Sequence, residues 1–159
     1  MINLIEEYLK TDNLRLMSPC NNWEEMIQAT GEVMVNLDIV SPAYIDAMVS
    51  AKEKYGPYMV IVPGVALLHA RPEDGVKKTG IVILTSDKDI SFGSENDPVR
   101  VAIGFAATKQ NDHLVILQDL ACLLQNETAI EKISTFKNGE ESDLFNFLVS
   151  LELQSEDCL

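Results

Sequence analysis

The segment Val99-Arg100-Val101-Ala102-Ile103-Gly104-Phe105-Ala106-Ala107 is predicted to form a β-strand. Val99, Val101, Ile103 and Phe105 recur at every second position, so their side chains share one face of an extended chain. β-branched and aromatic residues also favour the pleated conformation. The other predicted elements lie before and after this strand in the chain.

Further strands are predicted on the N-terminal side of this segment. The run TGIVILT over 79–85 is short, apolar and rich in β-branched residues, which is typical of a strand. Residues 60–75 are expected to form a strand, a turn and a second strand, because Pro63-Gly64 suits a type II turn that bends the chain. A connector or short edge strand is expected over 13–20, and another short strand around Ile90-Ser91-Phe92.

Helices are predicted on both sides of the strand-rich region. Their starts carry capping signals such as an Asn N-cap, a Glu three positions later, or a Pro in the first turn. The predicted helices lie over 1–10 or begin near Asn22, Ser41-Pro42, Asn111-Asp112, Asn126 and Asn138-Gly139. Helices before and after a run of strands can cover both faces of one sheet, so we predict an α/β fold with a mixed sheet.

Length and charge limit the classes of function. A chain of 159 residues is expected to form one domain with a sizeable core. The formal net charge of −13 argues against binding to nucleic acid or to an anionic membrane surface, and a charge-steered partner should be basic. No apolar run approaches the length of a membrane span, and the acidic start lacks the features of a signal peptide. We therefore expect a cytoplasmic protein without direct membrane insertion.

The chain holds only 2 histidines, His69 and His113, and both lie at positions suited to chemistry. In an extended segment His69 shares a face with Leu67 and Arg71, which puts an imidazole two positions from a guanidinium. His113 falls in the first turn of the helix that follows the strand over 99–107, where free N–H groups favour anions. The pattern indicates a site that handles an anion, although a lone histidine at a strand end is also compatible with the margin of the core.

Several other chemistries lack their motifs. Two histidines and cysteines without C-x-x-C spacing give no recognisable metal site, so no metal is predicted. There is no G-x-S-x-G elbow and no G-x-x-x-x-G-K-[ST] loop, and no cofactor is predicted. What remains is a histidine that acts as a nucleophile towards a phosphoryl donor, since imidazole is largely neutral near pH 7. Arg71 or a protonated His113 could balance the charge of the phosphoryl oxygens.

Four segments carry a resemblance to a known family. They are 62–80 (VPGVALLHARPEDGVKKTG), Asn22-Trp23-Glu24-Glu25, Asn96-Asp97-Pro98-Val99 and Asn111-Asp112-His113-Leu114. In this order and spacing they resemble the mannitol/fructose-type enzyme IIA (EIIA type-2) family of the phosphoenolpyruvate-dependent sugar phosphotransferase system. The form of the segment after His69 is most similar to the L-ascorbate-specific branch.

The resemblance implies a fold, a role and partners. It implies a single EIIA type-2 domain over 1–159 with its core at about 20–150, built as a mixed sheet of about five strands flanked by helices on both faces. His69 would accept a phosphoryl group from the carrier protein HPr and pass it to a cysteine of enzyme IIB, which serves the membrane enzyme IIC. His113 would assist. The sequence leaves open whether the chain forms a homodimer.

The chain departs from the family pattern at two positions. Leu68 stands where members usually have Pro before the phosphorylated histidine, and the helix before this segment has Lys52 and Lys54 but no arginine. Arg71 is the predicted substitute for that arginine, and the alternative role for Arg71 is a surface ion pair with Glu73 or Asp74. The alternative function is a stand-alone regulatory phosphoprotein of the same fold, whose phosphorylation state a partner protein reads.

Overall fold

The structure is a computed structural model that describes residues 7–154, and for residues 152–154 it describes the backbone alone. Its strands and longer helices follow in chain order. They are β1 (Leu14–Ser18), α1 (Trp23–Asn36), α2 (Ala43–Tyr55), β2 (Val65–Leu68), β3 (Gly80–Ile90), β4 (Val99–Ala106), α3 (Gln110–Leu124), α4 (Glu127–Ile133) and α5 (Glu141–Gln154). Single 3-10 turns lie at Thr11–Asn13 and Pro72–Asp74. Most of the helix predicted over 1–10 lies outside the described residues.

The described strands form one mixed sheet in the order β1-β3-β4-β2. β3 and β4 are antiparallel at the centre, and each has a parallel neighbour on its outer side. The predicted mixed α/β sheet between helices is confirmed, with four strands in the described residues instead of about five. The difference arises at two places, because Val62 makes only an isolated bridge to Val65 and because β3 continues as far as Ile90.

The two faces of the sheet are covered by different helices. α1 and α2 pack on the face that presents Leu68, Val82, Ala102 and Ala106. α3, α4 and α5 cover the opposite face, where the buried strand residues are larger. These residues are Val65, Leu67, Ile81, Ile83, Val101, Ile103 and Phe105. The alternation predicted for β4 is therefore confirmed for Val101, Ile103 and Phe105, which point towards α3. It is wrong for Val99, which packs in the core on the side of α1 and α2, beyond the point where the pairing with β3 becomes irregular.

A glycine in β4 lets α1 approach the sheet closely. A Cβ built on Gly104 would lie 2.7 Å from Thr30 Cγ2, 3.0 Å from Met34 Sδ and 3.1 Å from Val82 Cγ2. Real Cβ atoms are not found at the shortest of these separations. The short distance between helix and sheet thus depends on the missing side chain.

Two helix starts have the predicted caps. The side chain of Asn22 accepts a hydrogen bond of 2.9 Å from the Glu25 N–H, and Asn126 accepts one of 3.0 Å from Ala129. α2 begins one residue later than predicted, and its first turn is closed by the Tyr44 N–H, which donates to the carbonyl of Ser41. Across residues 7–154, no helix is both long enough and apolar enough to cross a membrane.

We expect Gly104→Val to lower the free energy of unfolding by about 2 kcal/mol, because added atoms in a packed core force neighbouring side chains and backbone to move. Urea unfolding followed by circular dichroism measures the change. Arg100→Val on the same strand is the control. It also introduces a valine, but the interaction that it removes is an exposed ion pair with Asp89, which contributes little to stability. Equal losses in the two variants would contradict the close-packing explanation.

Candidate functional site

The two histidines meet because of how β2 and β4 are paired. These strands run parallel, with Leu67 opposite Ile103 and Leu68 opposite Gly104, so their carboxyl ends reach the same edge of the sheet. His69 is the first residue after β2, and His113 lies in the first turn of α3, which follows β4. The crevice at the carboxyl ends of parallel strands is the usual ligand position in open α/β sheets.

Three aromatic rings pack against each other at this edge. The His69 ring is stacked on Phe105, with centroids 4.7 Å apart and an interplanar angle of 26°. The His113 ring meets His69 edge-on at 5.3 Å and also contacts Phe105 at 5.1 Å. The structure thus brings together both histidines predicted from sequence, and it adds Phe105 as the platform beneath them.

The packing changes the acid–base properties of His69. Burial, and to a lesser extent the positive charge that His113 can carry, lower its pKa from 6.5 to about 4. The Leu67 backbone opposes this shift, although Nδ1 makes no hydrogen bond of ordinary geometry with any described residue. The imidazole is therefore neutral throughout the neutral pH range. Because Nδ1 is buried, Nε2 is the ring nitrogen left for an incoming group.

A groove of about 760 Å³ opens onto His69. One side is formed by α2 and the residues after it, and the other by the loop after His69 and the start of α3. Its lining residues include Ser50, Lys54, Tyr55, Tyr58, Arg71, Gln110 and His113. Tyr55 and Tyr58 are 65% and 47% exposed, although large apolar side chains are usually covered, so this rim offers contact area to another molecule.

Arg71 lines the same groove as His69 but is held by carboxylates. Its Nη2 lies 3.2 Å from Asp74 Oδ1, and its Nε lies 3.6 Å from Glu73 Oε1. The hydrogen bond to Asp74 raises the pKa of Arg71, and the same contact lowers the pKa of Asp74. The Arg71 side chain is 73% exposed, so it can exchange these partners for another anion at little cost.

The two lysines that stand in place of the expected arginine have different positions. Lys52 lies with its Nζ 4.4 Å from the centre of the Trp23 ring, which is a cation–π contact away from the groove. Lys54 lines the groove. Among the described residues, the lysine and arginine side chains that line the groove beside His69 are therefore Lys54 and Arg71.

Sequence reasoning missed one buried side chain next to the site. The hydroxyl of Tyr44, on α2, lies against the backbone of Ala70 and Phe105. These contacts join residues 26 and 61 positions apart, so no local pattern could have indicated them. No three His, Cys, Asp or Glu side chains converge as metal ligands within the part of the chain that the structure describes.

Comparison with known proteins identifies the family. A family model described as "Phosphoenolpyruvate-dependent sugar phosphotransferase system, EIIA 2" matches residues 7–149. The Ascorbate-specific PTS system EIIA component of Salmonella choleraesuis (strain SC-B67) is 33% identical over 142 residues, which cover 88% of this chain and 92% of the relative.

Solved structures show the same fold. A structure described as a PTS IIA (PtxA) from Streptococcus mutans superposes with a TM-score of 0.83 at 26% identity and covers 99% of this chain and 97% of its own. The enzyme IIA of the Escherichia coli mannitol system, solved in complex with phosphorylated enzyme IIB, has a TM-score of 0.73 at 30% identity, with coverage of 87% and 97%. This chain therefore belongs to the EIIA type-2 family of the phosphoenolpyruvate-dependent sugar phosphotransferase system, whose members are phosphotransferases that carry a phosphoryl group.

Proposed function

We propose that this protein is the cytoplasmic IIA component of a phosphotransferase system for L-ascorbate, with His69 as the phosphorylated residue. HPr is the donor, and a cysteine of the cognate enzyme IIB, which serves the membrane enzyme IIC, is the acceptor. The observation that carries the proposal is the position of His69, which lines the groove with a lowered pKa and with Nδ1 buried, so that Nε2 is the nitrogen left for a phosphoryl donor. The name of the Salmonella relative supports the choice of ascorbate.

The transfer follows from the state of the His69 ring. A neutral imidazole that offers Nε2 as a nucleophile keeps its proton on Nδ1, on the buried side of the ring. Nε2 attacks the phosphorus of phosphorylated HPr, the P–N bond on HPr breaks, and a P–N bond forms on His69. The labile phosphoramidate then passes its phosphoryl group to the thiolate of enzyme IIB. Each step exchanges one bond to phosphorus for another and needs no further reactant.

The surroundings of Nε2 suit a phosphoryl group. The first turn of α3 presents the positive end of the helix dipole beside His69, and the side chain of His113 lies in that turn. Lys54 and Arg71 can approach the phosphoryl oxygens from the other walls of the groove. The exposed rings of Tyr55 and Tyr58 give a small apolar rim, which fits short-lived complexes with two successive protein partners.

Phosphorylation in a reconstituted relay tests the proposal. With phosphoenolpyruvate, enzyme I and HPr, the wild-type protein should gain one acid-labile phosphate, and His69→Ala should gain none because the acceptor nitrogen is absent. His113→Gln should still be labelled, but more slowly. Labelling that persists in His69→Ala would refute the assignment.

Adding an ascorbate-type enzyme IIB to the labelled protein tests the second half of the relay. Loss of label from His69 and its appearance on a IIB cysteine would support transport. A stable label in the presence of IIB proteins for several sugars would instead favour the regulatory alternative.

The low pKa of His69 predicts an unusual pH dependence. Since the unfolded ring binds a proton near pH 6.5 and the folded ring only near pH 4, the unfolded state holds more protons between these values. Stability should therefore fall as the pH falls through this window and be independent of His69 above it. NMR titration of the imidazole signals should show His69 with a midpoint near 4, with His69→Gln used for assignment.

Replacing His113 by Gln should move the His69 midpoint upwards, because a neighbouring positive charge is removed. A wild-type midpoint for His69 near 6.5 would contradict the burial of this ring.

Arg71→Ala should slow phosphorylation of His69 by about tenfold, which corresponds to about 1.4 kcal/mol in activation free energy. The physical reason is the loss of a cation that stabilises the charge on the phosphoryl oxygens. Rapid-quench measurement of transfer from phosphorylated HPr gives the rate. Lys52→Ala is the matched control, since its charge lies over Trp23 instead of in the groove. Unchanged rates in Arg71→Ala would remove Arg71 from the site.

A further inference from the structure

The hydroxyl of Tyr44 lies at the meeting point of three backbone groups. It accepts a hydrogen bond of 2.7 Å from the Ala70 N–H and lies 3.1 Å from the Ala70 carbonyl and 3.0 Å from the Phe105 carbonyl. A tyrosine hydroxyl has one proton to donate, so the two carbonyl oxygens share it. One side chain on α2 therefore joins the loop after β2 to the end of β4.

The groups that Tyr44 holds are the neighbours of His69. Ala70 follows His69 directly in the chain, and Phe105 carries the ring on which the imidazole is stacked. The β2–β4 pairing ends at Leu68 and Gly104, so the ladder of the sheet does not reach Ala70. Beyond the last paired residues, the hydrogen bonds of the Tyr44 hydroxyl link Ala70 to Phe105.

The environment of Tyr44 suits a fixed contact. Its side chain is fully buried in the core between α2 and the sheet. Burial raises the pKa of Tyr44 to about 12, so the hydroxyl remains protonated at any pH at which the protein works. A buried ring with a neutral hydroxyl keeps both its donor and its acceptor for these hydrogen bonds.

We propose that Tyr44 is a positioning residue for His69: its hydroxyl fixes the chain at Ala70 against β4 and so keeps the imidazole on Phe105 with Nε2 facing the groove. The expected effect on phosphoryl transfer rests on the proposed function, whereas the expected effect on the orientation of the His69 ring does not. Without this contact the loop after His69 is free to move away from β4, and the ring loses its defined orientation and part of its burial.

Tyr44→Phe tests the inference, since it removes only the oxygen. We expect the NMR midpoint of His69 to rise by at least one pH unit, because a ring that leaves Phe105 is better solvated. We also expect kcat for transfer from phosphorylated HPr to fall about tenfold while KM stays unchanged, since the groove rim is intact. Thr30→Val is the matched control, because it removes another buried hydroxyl, which donates to the Met26 carbonyl at 2.7 Å and not to the backbone of Ala70 or Phe105.

The outcomes separate the two proposals. A folded Tyr44→Phe with the wild-type midpoint and kcat would overturn the positioning role, and equal changes in Thr30→Val would reduce that role to general stability. If the wild-type protein takes no phosphate on His69, the proposed function fails, while the titration still decides the role of Tyr44. If Tyr44→Phe does not fold, Ala70 can be replaced by lactate, which removes the backbone N–H that donates a hydrogen bond to the Tyr44 hydroxyl. The NMR midpoint of His69 should then rise in the same way. An unchanged midpoint would again overturn the positioning role.

Discussion

Strand β2 pairs in parallel with β4, with Leu68 opposite Gly104, and this register places both histidines. Side chains on a strand alternate between faces, so a slip of one residue would turn His69 towards α1 and α2 and away from Phe105. The register is itself strongly constrained, because Leu67 and Leu68 are buried on opposite faces. The chemistry at the edge of the sheet thus depends on apolar packing in its interior.

The two faces of the sheet contribute to the site in different ways. The face under α1 and α2 has small residues in β4, which allow these helices to approach and bring Tyr44 within hydrogen-bond distance of the backbone near His69. The opposite face presents the large ring of Phe105 towards α3. His69 is supported from one side by an aromatic platform and from the other by a hydrogen bond to its loop.

Local signals in the sequence predicted a large part of this structure. The Asn22 and Asn126 caps, the alternation in β4 from Val101 to Phe105 and the placement of His113 in the first turn of a helix depend on neighbouring residues, and they were correct. Residues 60–62 have the apolar composition of a strand but form only an isolated bridge, because composition does not decide whether a strand finds a partner.

Other features depended on contacts between distant segments. The carboxylate partners of Arg71 were foreseen as an alternative, since Glu73 and Asp74 are close in sequence. The depressed pKa of His69 and the hydrogen bonds of Tyr44 could not be foreseen, because both arise only when β2, β4 and α2 have packed together. The family resemblance supplied the pairing of the two histidines, which no local pattern contains.

The burial of the His69 ring has a consequence below neutral pH. With a pKa of about 4, only about 1% of the ring is protonated at pH 6, whereas about three quarters of an ordinary imidazole would be. A protonated ring has no lone pair to offer a phosphoryl donor. For the phosphoryl acceptor proposed above, the burial of this one imidazole keeps its nucleophilic nitrogen available as the pH falls towards 6.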